Sequence, residues 1–271
     1  MSHYTDSTWE GVTYEWHDSI VLDSIVTKRG TRVEMVQRPK WGMTCYMDNA
    51  VQSCELDETL YHETLVHPVM SSVIRPRKIM IIGGGEGATV REVLKWPCVE
   101  RVDMYEWDQE VIQLFQSKYP QWAKGAWNDP RLHLHFDDIF QIIDQTPADT
   151  YDVIIIDLFD PEESNRESWK HLLQHITNWA KPTGSIAMYA GMRSRIQAEQ
   201  PYQMLTEILL DLSDTNVLFY RIITPYRVFI PSFLGEATFL LMSFSPKVPF
   251  YPSIPSHLTD SIWDSYRLFN W

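Results

Sequence analysis

Acidic residues follow the strand-like segments of this sequence, at positions where they could bind a positively charged ligand. Glu86 lies inside a glycine-rich loop, and Glu106 follows the next apolar run. Asp138 follows a third run, while Asp157 and Asp160 follow a fourth. An edge lined by carboxylates repels phosphates and attracts amines or a sulfonium. The chemistry that these residues indicate is therefore recognition of a cationic ligand.

The loop around Glu86 otherwise has the spacing of a dinucleotide-binding motif. The apolar run Lys78–Ile82 leads into "GGGEG", and Gly83, Gly85 and Ala88 satisfy the pattern G-x-G-x-x-A. In dinucleotide-binding proteins the pyrophosphate lies against this loop, where the charge of Glu86 would repel it. The motif therefore fits a ligand without phosphate better than it fits a dinucleotide.

Two of the acids stand at positions that indicate a nucleoside. An acid about 20 residues beyond a glycine loop usually accepts hydrogen bonds from ribose hydroxyls, which predicts a ribose at Glu106. Asp138 could accept from the amino group of an adenine, or it could simply form a turn. Asp108 and Asp137 are interpreted as turn formers and helix caps, since Asp is common in both positions.

Alternating strands and helices bring these acids together. The predicted strands are Lys78–Ile82, Arg101–Tyr105, Leu132–Phe136, Asp152–Ile156, Ser185–Met188, Val217–Ile223 and Ala237–Ser243. The predicted helices include Thr89–Leu94, Gln109–Lys118 and Ser168–Trp179. This alternation predicts an α/β fold: a mostly parallel sheet with helices on both faces and an antiparallel pair of strands at its edge. Ligands of such sheets bind outside the carboxyl ends of the strands, where the acids stand.

The chain before the glycine loop predicts a small β-rich domain. Its short runs with partial alternation are "VTYEW", "DSIVLDSIVTK", "RVEMVQR" and "MTCYMDNAVQ". A helix follows in "DETLYHETLVHPV", with Asp57 as its cap and Pro68 near its end. We therefore predict an N-terminal β-strand domain over residues 1–55 and an α/β domain over residues 56–271 that carries the strand-end acids.

Composition and charge limit the kinds of molecule that the protein is expected to bind and the compartment in which it is expected to lie. The net charge of −13 and the pI near 5.1 argue against nucleic acid and anionic membranes as partners. Cys45, Cys54 and Cys98 show no paired spacing, so neither a disulfide framework nor a zinc cage is expected. The polar N-terminus is unlike a signal peptide, and the apolar runs are too short to span a bilayer. These features predict a cytoplasmic protein.

The stretch from about Gln52 to Ser243 resembles the spermidine synthase family, the aminopropyltransferases. The segments that carry the resemblance are "YHETLVHP" (61–68), "GGGEG" (83–87), "YEWDQEV" (105–111), "DPRL" (129–132), "DLFDP" (157–161) and "IPSF" (230–233). The resemblance implies a Rossmann-like methyltransferase-type sheet with a small N-terminal β-domain, assembled as a homodimer or homotetramer. It also implies transfer of an aminopropyl group from decarboxylated S-adenosylmethionine to an amine, releasing methylthioadenosine, without a prosthetic group.

The resemblance places a defined set of residues around the nucleoside donor, which is the co-substrate. They are Gln52, Gly83, Gly85, Glu86, Glu106 and Asp138. Gln52 and Glu86 would contact the aminopropyl arm. Glu106 would hold the ribose and Asp138 the adenine.

On the acceptor side, the resemblance implies that Asp157 is the general base and that Asp160 anchors the nitrogens of a polyamine. Tyr61 would align the attacking amine, with His62 beside it, and Phe233 would line the acceptor wall. The chemistry supports a carboxylate here, because a positioned carboxylate can orient an amine and accept its proton during attack. A sulfonium is already a good leaving group, so no metal is expected.

Several residues depart from the family pattern. Leu158 and Phe159 replace paired small hydroxyl residues, Glu86 replaces an Asp, and Tyr189 stands where many members have Gln. Phe233 replaces a Tyr whose hydroxyl helps to hold a short diamine in spermidine synthases. The Leu158 and Glu86 substitutions, with "IPSF", are closer to thermospermine synthases of the plant type. We therefore expect an apolar acceptor wall that favours spermidine over putrescine and yields thermospermine or spermine.

Three alternatives stay open on the sequence alone. The acceptor could be putrescine, the chain could be an amine N-methyltransferase that uses S-adenosylmethionine itself, or it could be a non-catalytic polyamine-binding subunit. The acids at every strand end argue against the last, and repulsion of the donor carboxylate by Glu86 and Asp157 argues against the second. The segment "HETLVH" does not predict a zinc site, because His62 and His67 are five residues apart and cannot share a helical face.

Overall fold

The strands and helices occur in the alternating order that the sequence predicts. A computed structural model describes residues 3–9, 11–145, 148, 150–193, 201–214, 222–244 and 254–267. In chain order the strands are β1 (His3–Asp6), β2 (Tyr14–His17), β3 (Ile20–Val26), β4 (Arg32–Arg38), β5 (Gly42–Met47), β6 (Ala50–Cys54), β7 (Lys78–Gly83), β8 (Arg101–Tyr105), β9 (Leu132–His135), β10 (Tyr151–Asp157), β11 (Ala180–Arg193), β12 (Ile222–Ile230) and β13 (Gly235–Ser243). The helices are α1 (Glu58–Ser71), α2 (Ala88–Leu94), α3 (Gln109–Lys118), α4 (Ile139–Ile142), α5 (Arg166–Trp179), α6 (Pro201–Asp214) and α7 (Asp260–Arg267).

A seven-stranded sheet with the order β12-β13-β11-β10-β7-β8-β9 positions the candidate site. The strands from β11 to β9 run parallel, and β13 and β12 add an antiparallel edge. The α/β fold class and its antiparallel edge are therefore confirmed. The strand order reverses between β7 and β10, where Gly83 pairs with Asp157. Ligands of open α/β sheets bind at this kind of switch point.

The central strands are apolar on both faces because helices cover both. Along β7, Ile79 and Ile81 pack into the core under α1 and α2. Met80 and Ile82 point to the other face and pack with α5, where Trp169 is fully buried. A strand that is covered on both sides needs a continuous hydrophobic run, which is what "KIMIIG" supplies. This packing on both faces fixes the position at which β7 ends and the glycine loop begins.

The N-terminal strands form separate sheets. Strands β3 to β6 form an antiparallel four-stranded sheet, and β1 pairs with β2. Strand β6 ends at Cys54 and α1 begins at Glu58, so the small N-terminal β-domain is confirmed. A domain boundary at residue 55 stays a prediction.

Helix α1 packs against both α2 and the large sheet and is buried along almost its whole length. Asp57 occupies the position before its first turn, as predicted, but its side chain does not cap the helix. The Asp57 carboxylate accepts from the backbone amide of Ser232 at 2.6 Å and from its hydroxyl at 2.7 Å. The start of α1 is thereby tied to the "IPSF" segment. Taken singly, each described helix falls short of the length and hydropathy needed to cross a bilayer.

Strands β11 and β12 differ most from their predicted bounds. Strand β11 is longer at both ends than the predicted Ser185–Met188. Of the predicted Val217–Ile223, residues 217–221 lie outside the described residues, and β12 continues to Ile230. The sequence prediction ended early because Pro225 interrupts the run. A proline is tolerated here since β12 forms the edge of the sheet.

Candidate active site

The glycine loop after β7 passes so close to its neighbours that side chains would collide. Gly83 has φ +84°, and a Cβ there would lie 2.0 Å from the backbone oxygen of Asp157. Gly87 has φ +85°, and a Cβ there would lie 2.3 Å from the indole of Trp127. Both positions need a left-handed backbone and no side chain. The loop therefore brings Glu86 directly beside the end of β10.

Asp157 ends β10 and is held on both of its oxygens. The Tyr61 hydroxyl donates to Oδ1 at 2.9 Å, and the Thr89 hydroxyl donates to Oδ2 at 2.6 Å. Burial and the nearby charge of Glu86 raise the pKa of Asp157, and His62 and the two hydroxyls oppose this shift. An oriented carboxylate with a raised pKa is suited to accepting a proton.

Glu86 is paired with a buried histidine. Its Oε1 lies 2.7 Å from Nε2 of His62, whose side chain is only 1% exposed. Nδ1 of His62 lies 2.5 Å from the backbone oxygen of Glu58 and 3.3 Å from its Oε2. Burial alone would lower the pKa of His62, but the two carboxylates outweigh it and raise the pKa to about 10. His62 is therefore a cation at neutral pH, with both nitrogens engaged.

Glu106 lies against the glycine loop from the side of β8. It is buried, and a Cβ on Gly85 would lie 3.1 Å from its Oε2. The backbone amide of Asp108 donates to Oε1 at 3.0 Å. Burial, with a contribution from the charge of Glu86, raises the pKa of Glu106 to about 7. The side chain of Asp108 caps α3 by accepting from the amide of Glu110, as the sequence predicted.

Asp138 stands at the end of the next strand and begins α4. Its Oδ1 accepts from the amide of Phe140 at 3.0 Å, and its Oδ2 lies 3.2 Å from Nε2 of Gln141. The prediction that Asp137 is the helix cap is wrong, because the chain turns into the helix one residue later. Asp138 can therefore serve as a cap and still offer Oδ2 to a ligand.

A cleft too narrow to admit a water molecule lies between β6, α1 and the turn after β12. Its lining residues are Gln52, Ser53, Cys54, Asp57, Glu58, Tyr61, His62, Ile230 and Phe233. The Phe233 ring packs against Tyr61 with centroids 5.9 Å apart. The cleft thus brings together Gln52, Tyr61, His62 and Phe233, four of the residues that the sequence selected.

Tyr189 and Asp160 form the opposite rim of the site. The Tyr189 ring packs against Tyr61 with centroids 5.8 Å apart, and its hydroxyl faces the Asp160 carboxylate. Part of Asp160 is exposed, yet neighbouring atoms desolvate its carboxyl group and raise its pKa, and Tyr189 opposes that shift. This rim therefore carries a hydroxyl group to which the sequence analysis assigned no role.

Phe159 lies elsewhere than expected. Its ring is half exposed and packs against Phe140 and Trp169, with centroids 6.1 and 5.8 Å away, at the edge of the core covered by α5. Phe233 instead packs on Tyr61 under α1. Leu158 packs against the same core cluster as Trp169, so the prediction that Leu158, Phe159 and Phe233 together form one apolar wall is wrong. The turn after β10 sends consecutive side chains in different directions.

Sequence reasoning missed Thr89 and Glu58. Thr89 stands in the first turn of α2, directly after "GGGEG", so its hydroxyl returns to the end of β10. Its place at a helix start beside a candidate base was the available signal. Glu58 is one of several acids in "DETLYHE", and nothing in the local pattern distinguished it.

Comparison with known proteins identifies the family of this site. Residues 58–252 match the spermine/spermidine synthase domain, which is more than half of the 271 residues. The chain belongs to the spermine/spermidine synthase family. Members of this family that resemble it are polyamine aminopropyltransferases, and the protein is accordingly an enzyme that transfers aminopropyl groups.

Three relatives illustrate the extent of the similarity. The polyamine aminopropyltransferase of Pyrobaculum calidifontis is 36% identical over 75% of this chain, and that of a Synechococcus species is 32% identical over 77%. The polyamine aminopropyltransferase 2 of Pseudomonas aeruginosa is 36% identical over 73%. The aligned segments span 69%, 66% and 55% of the relatives' own lengths.

Two solved spermidine synthases share the fold. One, in complex with the transition-state analogue AdoDATO, superposes with a TM-score of 0.83 over 99% of this chain and 92% of its own, at 22% identity. The other, from Thermotoga maritima, gives a TM-score of 0.81 over 99% and 91%, at 20% identity. These values confirm the predicted fold of a Rossmann-like sheet behind a small β-domain.

Proposed function

We propose that the protein transfers the aminopropyl group of decarboxylated S-adenosylmethionine to a polyamine, with spermidine favoured over putrescine. The products would be thermospermine or spermine and methylthioadenosine. The observation that carries the proposal is the placement of Asp157, which is held by Tyr61 and Thr89 beside the acid-bearing loop at the switch point. A base fixed at that point can receive a proton from an amine that enters along Tyr61.

The donor side is proposed to recognise positive charge. Enzymes of this family use decarboxylated S-adenosylmethionine as substrate. Its ammonium would lie at Glu86 and Gln52, its ribose at Glu106 and its adenine at Asp138, with Gly83 and Gly85 in the loop beneath it. Like charges about 5 Å apart repel by about 3 kcal/mol at an effective dielectric constant of 20. S-adenosylmethionine, whose carboxylate would meet Glu86, is therefore expected to bind worse.

The transfer step follows from these positions. The amine lone pair attacks the carbon next to the sulfonium, the carbon–sulfur bond breaks, and its electrons return to sulfur as methylthioadenosine leaves. The proton lost by the nitrogen goes to Asp157. Freeing the lone pair of an amine with a lysine-like pKa costs about 5 kcal/mol at neutral pH. Alignment of the reacting atoms can lower the barrier by roughly 7–11 kcal/mol, so positioning is the larger effect.

The preference for a longer acceptor rests on Phe233 and on the acids at the rim. Phe233 offers no hydroxyl to the charged end of a short diamine, and an unsatisfied ammonium in a closed cleft is costly. A triamine can lay its methylenes along Phe233 and place its distal ammonium near Asp160. Glu162 lies close enough to Asp160 to raise the pKa of that carboxyl group, so the rim holds more than one acid.

The test is product identification with competing acceptors. The enzyme would be incubated with decarboxylated S-adenosylmethionine, putrescine and spermidine, and the products identified by mass spectrometry alongside steady-state kinetics. We expect a higher kcat/KM for spermidine, and a shift of this ratio toward putrescine in Phe233→Tyr. The variant Phe159→Tyr is the matched control, since its half-exposed ring packs against Phe140 and Trp169 instead of Tyr61, and it should leave the ratio unchanged. A kcat/KM for putrescine equal to or above that for spermidine in the wild type would refute the preference for spermidine. It would leave the aminopropyltransferase activity itself unaffected.

Three further predictions accompany this function. The division into residues 1–55 and 56–271, the homodimeric or homotetrameric assembly and the cytoplasmic location rest on the sequence and on the family resemblance. Small-molecule substrates are the proposed partners.

A further inference from the structure

A buried chain of alternating charges leads from Glu86 into the core. Glu86 pairs with His62, and His62 in turn lies against Glu58. The Glu58 carboxylate in turn accepts hydrogen bonds from Nη1 and Nη2 of Arg91, at 3.0 and 2.7 Å. The side chains of His62, Glu58 and Arg91 are at most 8% exposed, whereas Glu86 is 16% exposed at the site. The chain thus has one end in the core and the other at Glu86 in the glycine loop.

The hydrogen-bond acceptors around His62 favour a positively charged ring. Nδ1 faces the backbone oxygen and the carboxylate of Glu58, and Nε2 faces the carboxylate of Glu86. Both nitrogens face acceptors, and only an imidazolium donates from both. The carboxylates of Glu58 and Glu86 therefore share one cation between them. Removal of either carboxylate would therefore change the hydrogen bonding of His62 to the other carboxylate.

Arg91 is anchored at every side of its guanidinium. Besides the two bonds to Glu58, Nε donates to Glu92 at 2.7 Å and Nη1 donates to the backbone oxygen of Trp122 at 2.5 Å. Arg91 therefore cannot turn toward the donor, and its bidentate grip fixes both oxygens of Glu58. The end of the chain in the core is rigid.

We propose that Glu58 and Arg91 are positioning residues, which act through His62 to hold the Glu86 carboxylate toward the aminopropyl ammonium of the donor. The inference rests on the proposed contact between Glu86 and that ammonium. Replacement of buried ion pairs by apolar residues is often neutral or stabilising, so such a chain is a poor device for stability. A glutamate side chain that carries a ligand contact, by contrast, gains from a fixed orientation. The extra methylene of Glu86 relative to Asp makes this support more necessary.

Two variants would test the inference by calorimetry with two ligands. Glu58→Gln removes the charge behind His62, and Arg91→Lys keeps the charge but loses the bidentate grip. Decarboxylated S-adenosylmethionine carries the ammonium, and methylthioadenosine lacks the whole aminopropyl arm. We expect either variant to raise the Kd of the donor about tenfold and to leave that of methylthioadenosine within about twofold. Arg91→Lys keeps the test available if Glu58→Gln does not fold.

The matched control is Asp103→Asn. Asp103 is also a buried acid paired with an arginine and a histidine, Arg101 and His135, on a strand away from Glu86. This variant should leave both Kd values unchanged. If Glu58→Gln and Arg91→Lys weaken both ligands equally, or neither ligand, the positioning role is overturned.

Glu86→Gln separates this inference from the proposed function. If it does not weaken the donor selectively, the proposed contact of Glu86 is wrong and the positioning role falls with it. If it does, Glu58→Gln should add little to the loss in the double variant, because both act on the same contact. Additive losses would show that Glu58 acts by another route and would overturn the positioning role alone.

Discussion

At the scale of single residues, Asp157 has two properties that suit its proposed role as the base. Its oxygens are fixed by Tyr61 and Thr89, and burial beside Glu86 raises its pKa. Hydroxyl groups rotate, so the Tyr61 hydroxyl can give up its bond to Oδ1 when an amine approaches. The residue is thus held in place without being closed to a substrate.

The first prediction concerns Asp157→Asn. The amide keeps the shape of the side chain but cannot take up the proton, so turnover should fall at least about a hundredfold. Steady-state kinetics with spermidine and calorimetry with methylthioadenosine would measure the two effects separately. Binding of methylthioadenosine should persist, because the proposed ribose and adenine contacts are elsewhere.

Asp152→Asn is the control for that variant. Asp152 lies at the opposite end of the same strand, where it pairs with Lys181 and accepts from the amides of Arg77 and Lys78. This change should alter stability and leave turnover within about twofold. Normal turnover in Asp157→Asn would show that the base is another group.

At the scale of elements, the glycine loop sets how closely β7, β10 and α2 approach one another. Gly87 begins α2 in a left-handed conformation with the Trp127 ring against its Cα. Gly30 has a similar conformation, φ +95°, but around it the described residues leave open space. The two glycines therefore differ in packing and not in backbone geometry.

A second prediction compares alanine at these two positions. Gly30→Ala should lower the free energy of unfolding by about 1–2 kcal/mol, from backbone strain alone. Gly87→Ala adds a collision with Trp127 and should cost about 2–5 kcal/mol. Urea unfolding would give both values. Equal losses would mean that the loop does not pack as tightly as described.

The elements with strong local signals could be predicted from the sequence. Residues 101–105 and 109–118 have the predicted bounds, since an apolar run and an Asp cap define them locally. Strand β12 was harder, because Pro225 is tolerated only at a sheet edge, which is a property of the whole sheet. Helix α6 was missed although Leu205, Leu209 and Leu212 repeat at helical spacing and are buried.

The residues of the candidate site also divide into those that the sequence could predict and those that it could not. The acids at the strand ends could be predicted, since the carboxyl ends of parallel strands meet at one edge. The partners of those acids could not. Thr89 reaches Asp157 across 68 residues, and Asp57 binds Ser232 across 175. Such contacts depend on how elements pack and leave no local pattern.

At the scale of the whole molecule, we propose that the acids at the switch point form a site for a ligand with two positive charges. Glu86, Glu106 and Asp157 crowd together, and each of the last two has its pKa raised in part by the charge of Glu86. Such repulsion is unfavourable in the free protein. A ligand that carries a sulfonium and an ammonium would relieve it, whereas a carboxylate on the ligand would add to it.

Calorimetry with three nucleosides tests this claim most directly. The ligands are decarboxylated S-adenosylmethionine, S-adenosylmethionine and methylthioadenosine, each titrated into the same protein at neutral pH. A repulsion of about 3 kcal/mol corresponds to a difference of about a hundredfold in Kd, in favour of the decarboxylated donor. We predict that difference, with methylthioadenosine binding more weakly than the decarboxylated donor. Equal affinities for the two S-adenosyl ligands would contradict the account and would favour an N-methyltransferase.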